Sequence, residues 1–453
     1  MTAHVAARPA ETALINPDAL SAGGRDVDKD GGTVRWRQGV RYGALGLPLA
    51  FVALPLYVVL PNHYATEFGI PLATLGAVLL GARALDAVAD PLIGRAADRW
   101  LAGGGRQAWW AIAVAAVVLA TGFVALFFPQ VDGASALLVW CAATLAVTYL
   151  GYSVVTVVHQ SWGARLGGDA PQRARIVAWR EGLALVGVLV ASVLPSLAGL
   201  AVTTVVFALV LAIGVLCLRA APTPAPLPAA ARSGTAARPV SLRLPFETPA
   251  FRRLLAVYLV NGIASAVPAT LVLFFIRDRL QEPSFEPLFL ASYFAAGALS
   301  IPLWVRAVRW WGLERAWLVG IGLAIVVFSG AAMLGAGDVM AYTAVCALSG
   351  IALGADLTLP SAILAGVIQR AGHGEQAEGA YFGWWNCATK LNLALAAGVA
   401  LPALAWFGYA PGANTPQALS ALTTAYCVLP CLLKIGAGVL LYTLLIRNAR
   451  ETP

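Results

Sequence analysis

The sequence predicts an all-α membrane protein of twelve transmembrane helices in two pseudo-symmetric six-helix bundles. Composition is the first reason: of 453 residues, 60% are hydrophobic and 11% charged, whereas roughly a quarter of the residues of a soluble domain are charged. Apolar runs are the second, because about 20 such residues cross the hydrocarbon core and twelve runs of that order follow one another along the chain. The third is an internal repeat that divides the runs into two sets of six.

Residues 1–38 precede the first run. They are polar, with Gly23, Gly24, Gly31, Gly32 and alternating charge from Arg25 to Asp30, and lack the charged start and apolar centre of a signal peptide. We read them as a disordered cytoplasmic tail. Spans 1 to 6 are expected at 40–62, 70–93, 107–128, 134–162, 174–198 and 199–220, and spans 7 to 12 at 250–276, 285–308, 313–336, 339–369, 379–406 and 417–447. Between them Ala221 to Glu247 is rich in Pro and Ala and carries Arg232, Arg238 and Arg243, the composition of a flexible linker. The expected organisation is a bundle at 39–220, a cytoplasmic linker at 221–248, a bundle at 249–447 and a cytoplasmic tail at 448–453.

The repeat follows spans 2 and 8. Pro91-Leu92-x-x-Arg95-Ala96 with Trp100 nine residues past the proline returns as Pro302-Leu303-x-x-Arg306-Ala307 with Trp311 at the same offset. A duplicated six-helix unit with a solute path between its halves is its physical reading. Loops on the linker side hold Arg95, Arg99, Arg106, Arg165, Arg173, Arg175, Arg306, Arg309, Arg315 and Arg370, against mainly Arg277 and Arg279 on the other. The positive-inside bias therefore puts both termini and the linker in the cytoplasm, with the protein in the cell membrane.

That bias accounts for the net charge of +8, so nucleic acid is not an expected partner. Six scattered cysteines, Cys141, Cys217, Cys346, Cys387, Cys427 and Cys431, lack metal-site spacing. No phosphate loop, nucleophile triad or zinc helix is present in the sequence, so neither an enzyme nor a bound cofactor is expected.

After span 2, Gly94-Arg95-Ala96-Ala97-Asp98-Arg99 followed by Gly105-Arg106 resembles the Gly-x-x-x-Asp-Arg…Gly-Arg signature of the major facilitator superfamily. Such a loop can pair Asp98 with an arginine and hold helices together, making Gly94, Asp98, Arg99 and Arg106 a candidate cytoplasmic gate. Two stretches, Leu85-Asp86-Ala87-Val88-Ala89-Asp90-Pro91 in span 2 and Glu378-Gly379-Ala380-Tyr381-Phe382-Gly383 through Lys390 in span 11, are similar to the glycoside, pentoside and hexuronide:cation symporters. The melibiose carriers belong to that group and, more distantly, the vertebrate lysolipid carriers. The resemblance covers about residues 40–447.

Asp86 and Asp90 are four apart and so share a helix face, about 12 Å and 6 Å from Gly94 at ~1.5 Å per residue. Lys390 lies ~17 Å into span 11, at a depth from which it can reach toward Asp86 if spans 2 and 11 face one another. An ionised group in the bilayer costs about 2.5 to 3.5 kcal/mol on insertion scales, so two carboxylates and one ammonium, net −1, leave room for one monovalent cation. Carboxylate oxygens suit Na⁺, and a desolvated carboxyl can instead carry a proton. The resemblance implies the same roles: matching aspartates bind the coupling cation and the lysine joins their network. A purely structural ion pair between the bundles is the alternative.

The chain also departs from the melibiose-carrier pattern. Tyr42 to Ala53 in span 1 lacks its aspartate, and span 4 offers Tyr149, Gly151, Tyr152, Ser153 and Thr156 where it has another. The first loss weakens galactoside recognition and the second tilts the coupling ion toward protons. The resemblance implies a sugar-contacting arginine at Arg180, which Glu181 could instead hold structurally. Asp356 in span 10 could pair with Lys390 or meet substrate. Asn261, Tyr152, Trp385 and Asn386 add polar and aromatic groups of the kind that line a solute pocket, while His159 reads as a satisfied interfacial histidine. The expected function is cation-coupled symport, by a monomer, of a small polar solute resembling a sugar or glycoside. A lysolipid carrier on the same scaffold and a non-transporting sensor are the alternatives.

Overall fold

The structure, a computed structural model, describes residues 36–224, 240–409, 412 and 415–447. Most of the expected N-terminal tail, the centre of the linker and the C-terminal tail lie outside the described residues. The first described residues, Trp36–Gly43, are already helical, so helix reaches into the last residues of the expected tail. This short amphipathic stretch buries Tyr42 while leaving Arg37 and Arg41 exposed.

Among the described residues seven helices are long and apolar enough to cross a membrane: Gly105–Phe127, Ala134–Arg165, Ala170–Arg219, Pro249–Leu280, Pro283–Ala331, Val339–Arg370 and Pro416–Arg447. Ala170–Arg219 breaks at Gly199 (φ +78°, ψ 171°) and Glu286–Ala331 at Gly312 (φ +77°, ψ 173°). Each break is a fold-back. A Cβ on Gly43 would meet Trp179, and Arg41 donates to the Ala220 carbonyl at 3.2 Å, although a straight helix would separate Trp179 from Ala220 by about 60 Å. Likewise Trp304 bonds the Ile351 carbonyl and Trp317 bonds Asp356 on the same helix, from opposite sides of Gly312.

Leu72–Ala102 and Glu378–Trp406 are as long as these and carry the buried acids Asp86, Asp90, Asp98 and Glu378. The first span is pieced together from Trp36–Gly43, Gly46–Leu54, a π turn at Pro55–Val59 and Leu60–Glu67. Divided at the two glycines, the rods follow the order of the twelve expected spans. Leu72–Ala102 outlasts its apolar run by nine residues, because its polar end packs against the start of span 11 instead of ending at the bilayer edge. A four-residue helix, Leu244–Glu247, leads into span 7.

Among the described residues three apolar cores hold the rods. One, around Phe51, Phe123, Phe127 and Phe207, draws only on residues between Tyr42 and Ala221. Another, around Phe275, Phe289, Tyr342 and Tyr426, lies within Ala266 to Cys427. A third, around Trp304, Trp317 and Tyr381, also takes in Ala164, Ala174 and Val177 from the first half. Val139, Leu197, Leu299 and Val326 are left exposed, as befits a surface solvated by lipid.

Candidate functional site

Span 2 meets span 11 at backbone contact. A Cβ on Gly94 would sit 2.1 Å from the Gly379 carbonyl oxygen, one on Gly379 2.1 Å from that of Gly94, and one on Gly383 2.5 Å from that of Asp90. Only glycine permits this approach, and it brings Lys390, two turns above Gly383, against the acidic face of span 2. Lys390 Nζ lies 2.7 Å from Asp86 Oδ2 and 2.8 Å from both Asp90 oxygens. Ser153 of span 4 accepts a hydrogen bond from the ammonium at 2.7 Å and donates to Asp86 Oδ1 at 2.6 Å.

Three expected cation-site residues are therefore in one cluster, with net charge −1. Asp90 is wholly shielded and Asp86 8% exposed, so water offers them little compensation. Asp90 Oδ2, although within ion-pair distance of Lys390, takes no hydrogen bond of good geometry. Thr156, one turn beyond Ser153, has a buried hydroxyl without a partner among the described residues.

Asp356 belongs to a second charged cluster. Its partner is Lys434 of span 12, at 2.8 Å, and not Lys390. Lys434 also donates to Asn261 Oδ1 at 2.9 Å and Ser265 Oγ at 3.1 Å, while Asp356 Oδ1 accepts from Asn261 Nδ2 at 3.1 Å and Trp317 Nε1 at 2.8 Å. All three protons of the ammonium are thus engaged, and the pair is neutral overall. It borders a cavity of about 190 Å³ walled by Tyr293, Phe294, Phe328 and Tyr426.

The other expected substrate residues are dispersed. Arg180 is buried and held by Glu181 at 2.6 and 2.9 Å, the structural pairing that sequence left open. Trp385 is buried and stacked on Tyr258 with ring centroids 3.7 Å apart. Asn386 donates to Gln160 of span 4 at 2.7 Å, and Tyr152 packs against the first-half core. His159 is buried, with Nε2 2.9 Å from the Tyr42 carbonyl.

At the linker end the halves are tied shut. Asp98 accepts from the backbone N–H groups of Gly379 at 2.6 Å and Ala380 at 2.9 Å, capping the start of span 11, where a helix favours negative charge. The arginine near it is Arg165 of span 4, 3.9 Å from Asp98 and 2.9 Å from Glu378. Arg99 and Arg106, expected in this gate, are exposed, whereas Gly94 and Asp98 lie within it. Arg173 adds a bond to Gln369 at 2.9 Å. The sequence reading missed Arg165 and Lys434 as partners, although the first ends a helix rich in polar groups and the second is a rare intramembrane lysine.

Residues 41–448 match the family model described as MFS/sugar transport protein. The inner membrane symporter YicJ of Escherichia coli is 29% identical over 162 residues, 36% of this chain and 35% of that protein. The putative glycoside/cation symporter YagG of the same organism is 27% identical over 157 residues, 34% of this chain and 33% of that protein. The chain thus spans about a third of the length of these curated relatives. A bacterial homologue of the iron transporter ferroportin, in an outward-facing state, has TM-score 0.64 at 17% identity, over 90% of this chain and 99% of that one. The human organic anion transporter MFSD10 has TM-score 0.62 at 18% identity, over 88% and 99%. These likenesses show the fold. Matched along nearly its whole length, the chain belongs to the MFS/sugar transport protein family and is a multi-pass membrane protein.

Proposed function

We propose that the protein is a cation-coupled symporter that moves a small polar organic solute, sugar or glycoside in type, by alternating access between two six-helix halves. One observation supports this most directly: an ammonium from span 11 between two buried carboxylates of span 2, with one negative charge left over. A monovalent cation, H⁺ or Na⁺, entering between Asp86 and Asp90 competes with Lys390 for the same oxygens. Its arrival neutralises the cluster and loosens the link between spans 2 and 11, so binding is coupled to reorientation of the halves. The two Escherichia coli relatives, an inner membrane symporter and a putative glycoside/cation symporter, favour the same reading. In this proposal both termini and the linker face the cytoplasm, the working unit is a monomer, and Asp86, Asp90 and Lys390 form the coupling site.

The test is uptake into proteoliposomes of a mixed glycoside library, run with separate sodium and pH gradients. Asp86→Asn and Asp90→Asn are expected to abolish gradient-driven accumulation while preserving solute exchange at equal concentrations. Unchanged accumulation in either variant refutes the coupling assignment. Competition by lysolipids but not by glycosides would reassign the solute.

A further inference from the structure

A groove between the two halves, separate from both charged clusters, has no role in the coupling scheme. It runs between spans 5 and 8 at the linker end. Its floor is apolar, including Leu183, Ala298, Ile301 and Val305, and its rim holds Trp36, Trp179, Arg175, Arg306 and Arg309. No acid lines it, and none of its three arginines makes an ion pair among the described residues, in contrast to Arg165 and Arg180. Pro302 and Arg306, half of the internal repeat, both line it.

Three guanidinium groups held together repel one another unless an anion lies among them. The two tryptophans mark the level at which indole rings settle, between headgroups and acyl chains, and apolar walls below that level suit a hydrocarbon chain. We propose that this groove binds one anionic phospholipid of the adjoining leaflet, its phosphate among Arg175, Arg306 and Arg309 and one acyl chain in the slot between spans 5 and 8. Basic pockets between transmembrane helices bind such headgroups by the same physics. Because Arg175 comes from the first half and Arg306 and Arg309 from the second, the lipid bridges the halves where they are already closed, and favours that closed state. The idea is independent of the solute and of the coupling ion.

The experiment is lipid retention by the purified full chain in detergent, read by native mass spectrometry with added phosphatidylglycerol or phosphatidylcholine. Preferential retention of one phosphatidylglycerol is expected. At about 1 kcal/mol per basic residue near an anionic headgroup, each arginine contributes roughly fivefold, so the triple change of Arg175, Arg306 and Arg309 to Gln weakens retention by about a hundredfold. Gly182→Leu provides an arm that leaves the charge intact. A Cβ there meets only Ile301 Cδ1, at 3.8 Å, so the larger side chain enters the slot and is expected to expel the acyl chain. Equal retention of phosphatidylcholine by the unaltered protein overturns the proposal. So does displacement of the lipid by inorganic phosphate alone, which identifies a free-anion site, or full retention in Gly182→Leu.

Discussion

Alanine at Gly94 is expected to hold the linker end ajar. The added Cβ lies 2.1 Å from the Gly379 carbonyl oxygen and 2.8 Å from its carbon, where ordinary contact begins at 3.4 Å. Both obstacles are backbone, so no rotamer relieves the clash and spans 2 and 11 must separate by more than an ångström. The same movement breaks the bonds from Gly379 and Ala380 to Asp98, now 2.6 and 2.9 Å long. Hydrogen bonds to a charged group contribute about 1.5–3 kcal/mol each. Losing two forfeits at least about 3 kcal/mol, which shifts the ratio of closed to open by roughly 150-fold. Hydrogen exchange read by mass spectrometry reports it: peptides covering 94–103 and 375–383 should exchange faster, and peptides from the far end should not. Gly81→Ala, in the same helix but with nothing within 4 Å of its Cβ, is the control and should behave as the parent. Unaltered exchange at the linker end in Gly94→Ala refutes the view that glycine contact governs closure.

Two further outcomes follow from the charged clusters. Lys434→Met strips Asp356 of its ammonium and should lower thermal stability in detergent by an amount equivalent to about 3–5 kcal/mol, the usual cost of breaking a buried pair; adding Asp356→Leu should restore most of the loss, and a failure to recover argues that the pair is not mainly structural. Ser153→Ala removes a hydroxyl that orders Asp86 and Lys390, at about 1–3 kcal/mol. We expect it to change the cation concentration needed for half-maximal uptake while leaving the maximum near the parental value, as measured in proteoliposomes.

Much of this architecture was legible in the sequence because a membrane leaves few options: backbone must satisfy itself, so apolar length maps onto helix number. The break at Gly199 falls at the boundary drawn between runs 174–198 and 199–220, since a glycine there ends one apolar run and begins the next. Helix at Trp36–Gln38, within the expected tail, and the extension of span 2 to Ala102 were not visible, because helix beyond the hydrocarbon is specified by packing and not by hydropathy. In the charged cluster, the four-residue spacing of Asp86 and Asp90 placed both on one face and the depth of Lys390 put it within reach, while the facing of spans 2 and 11 came from the family resemblance. Depth alone could not choose a partner for Asp356, because Lys390 and Lys434 both reach mid-membrane and only the angular order of helices separates them. Asp98 posed the same difficulty. Arg99 and Arg106 are its neighbours in sequence, yet helix direction turns them outward and Arg165 arrives from another span.

The corners at Gly199 and Gly312 carry a last consequence. A Cβ at either would meet nothing within 4 Å, so room is not what selects glycine there. The backbone angles lie in a region that left-handed amino acids avoid and their mirror images occupy freely. A D-alanine installed by chemical ligation should fit both corners without strain, whereas its natural enantiomer should not: chirality alone polices these two positions.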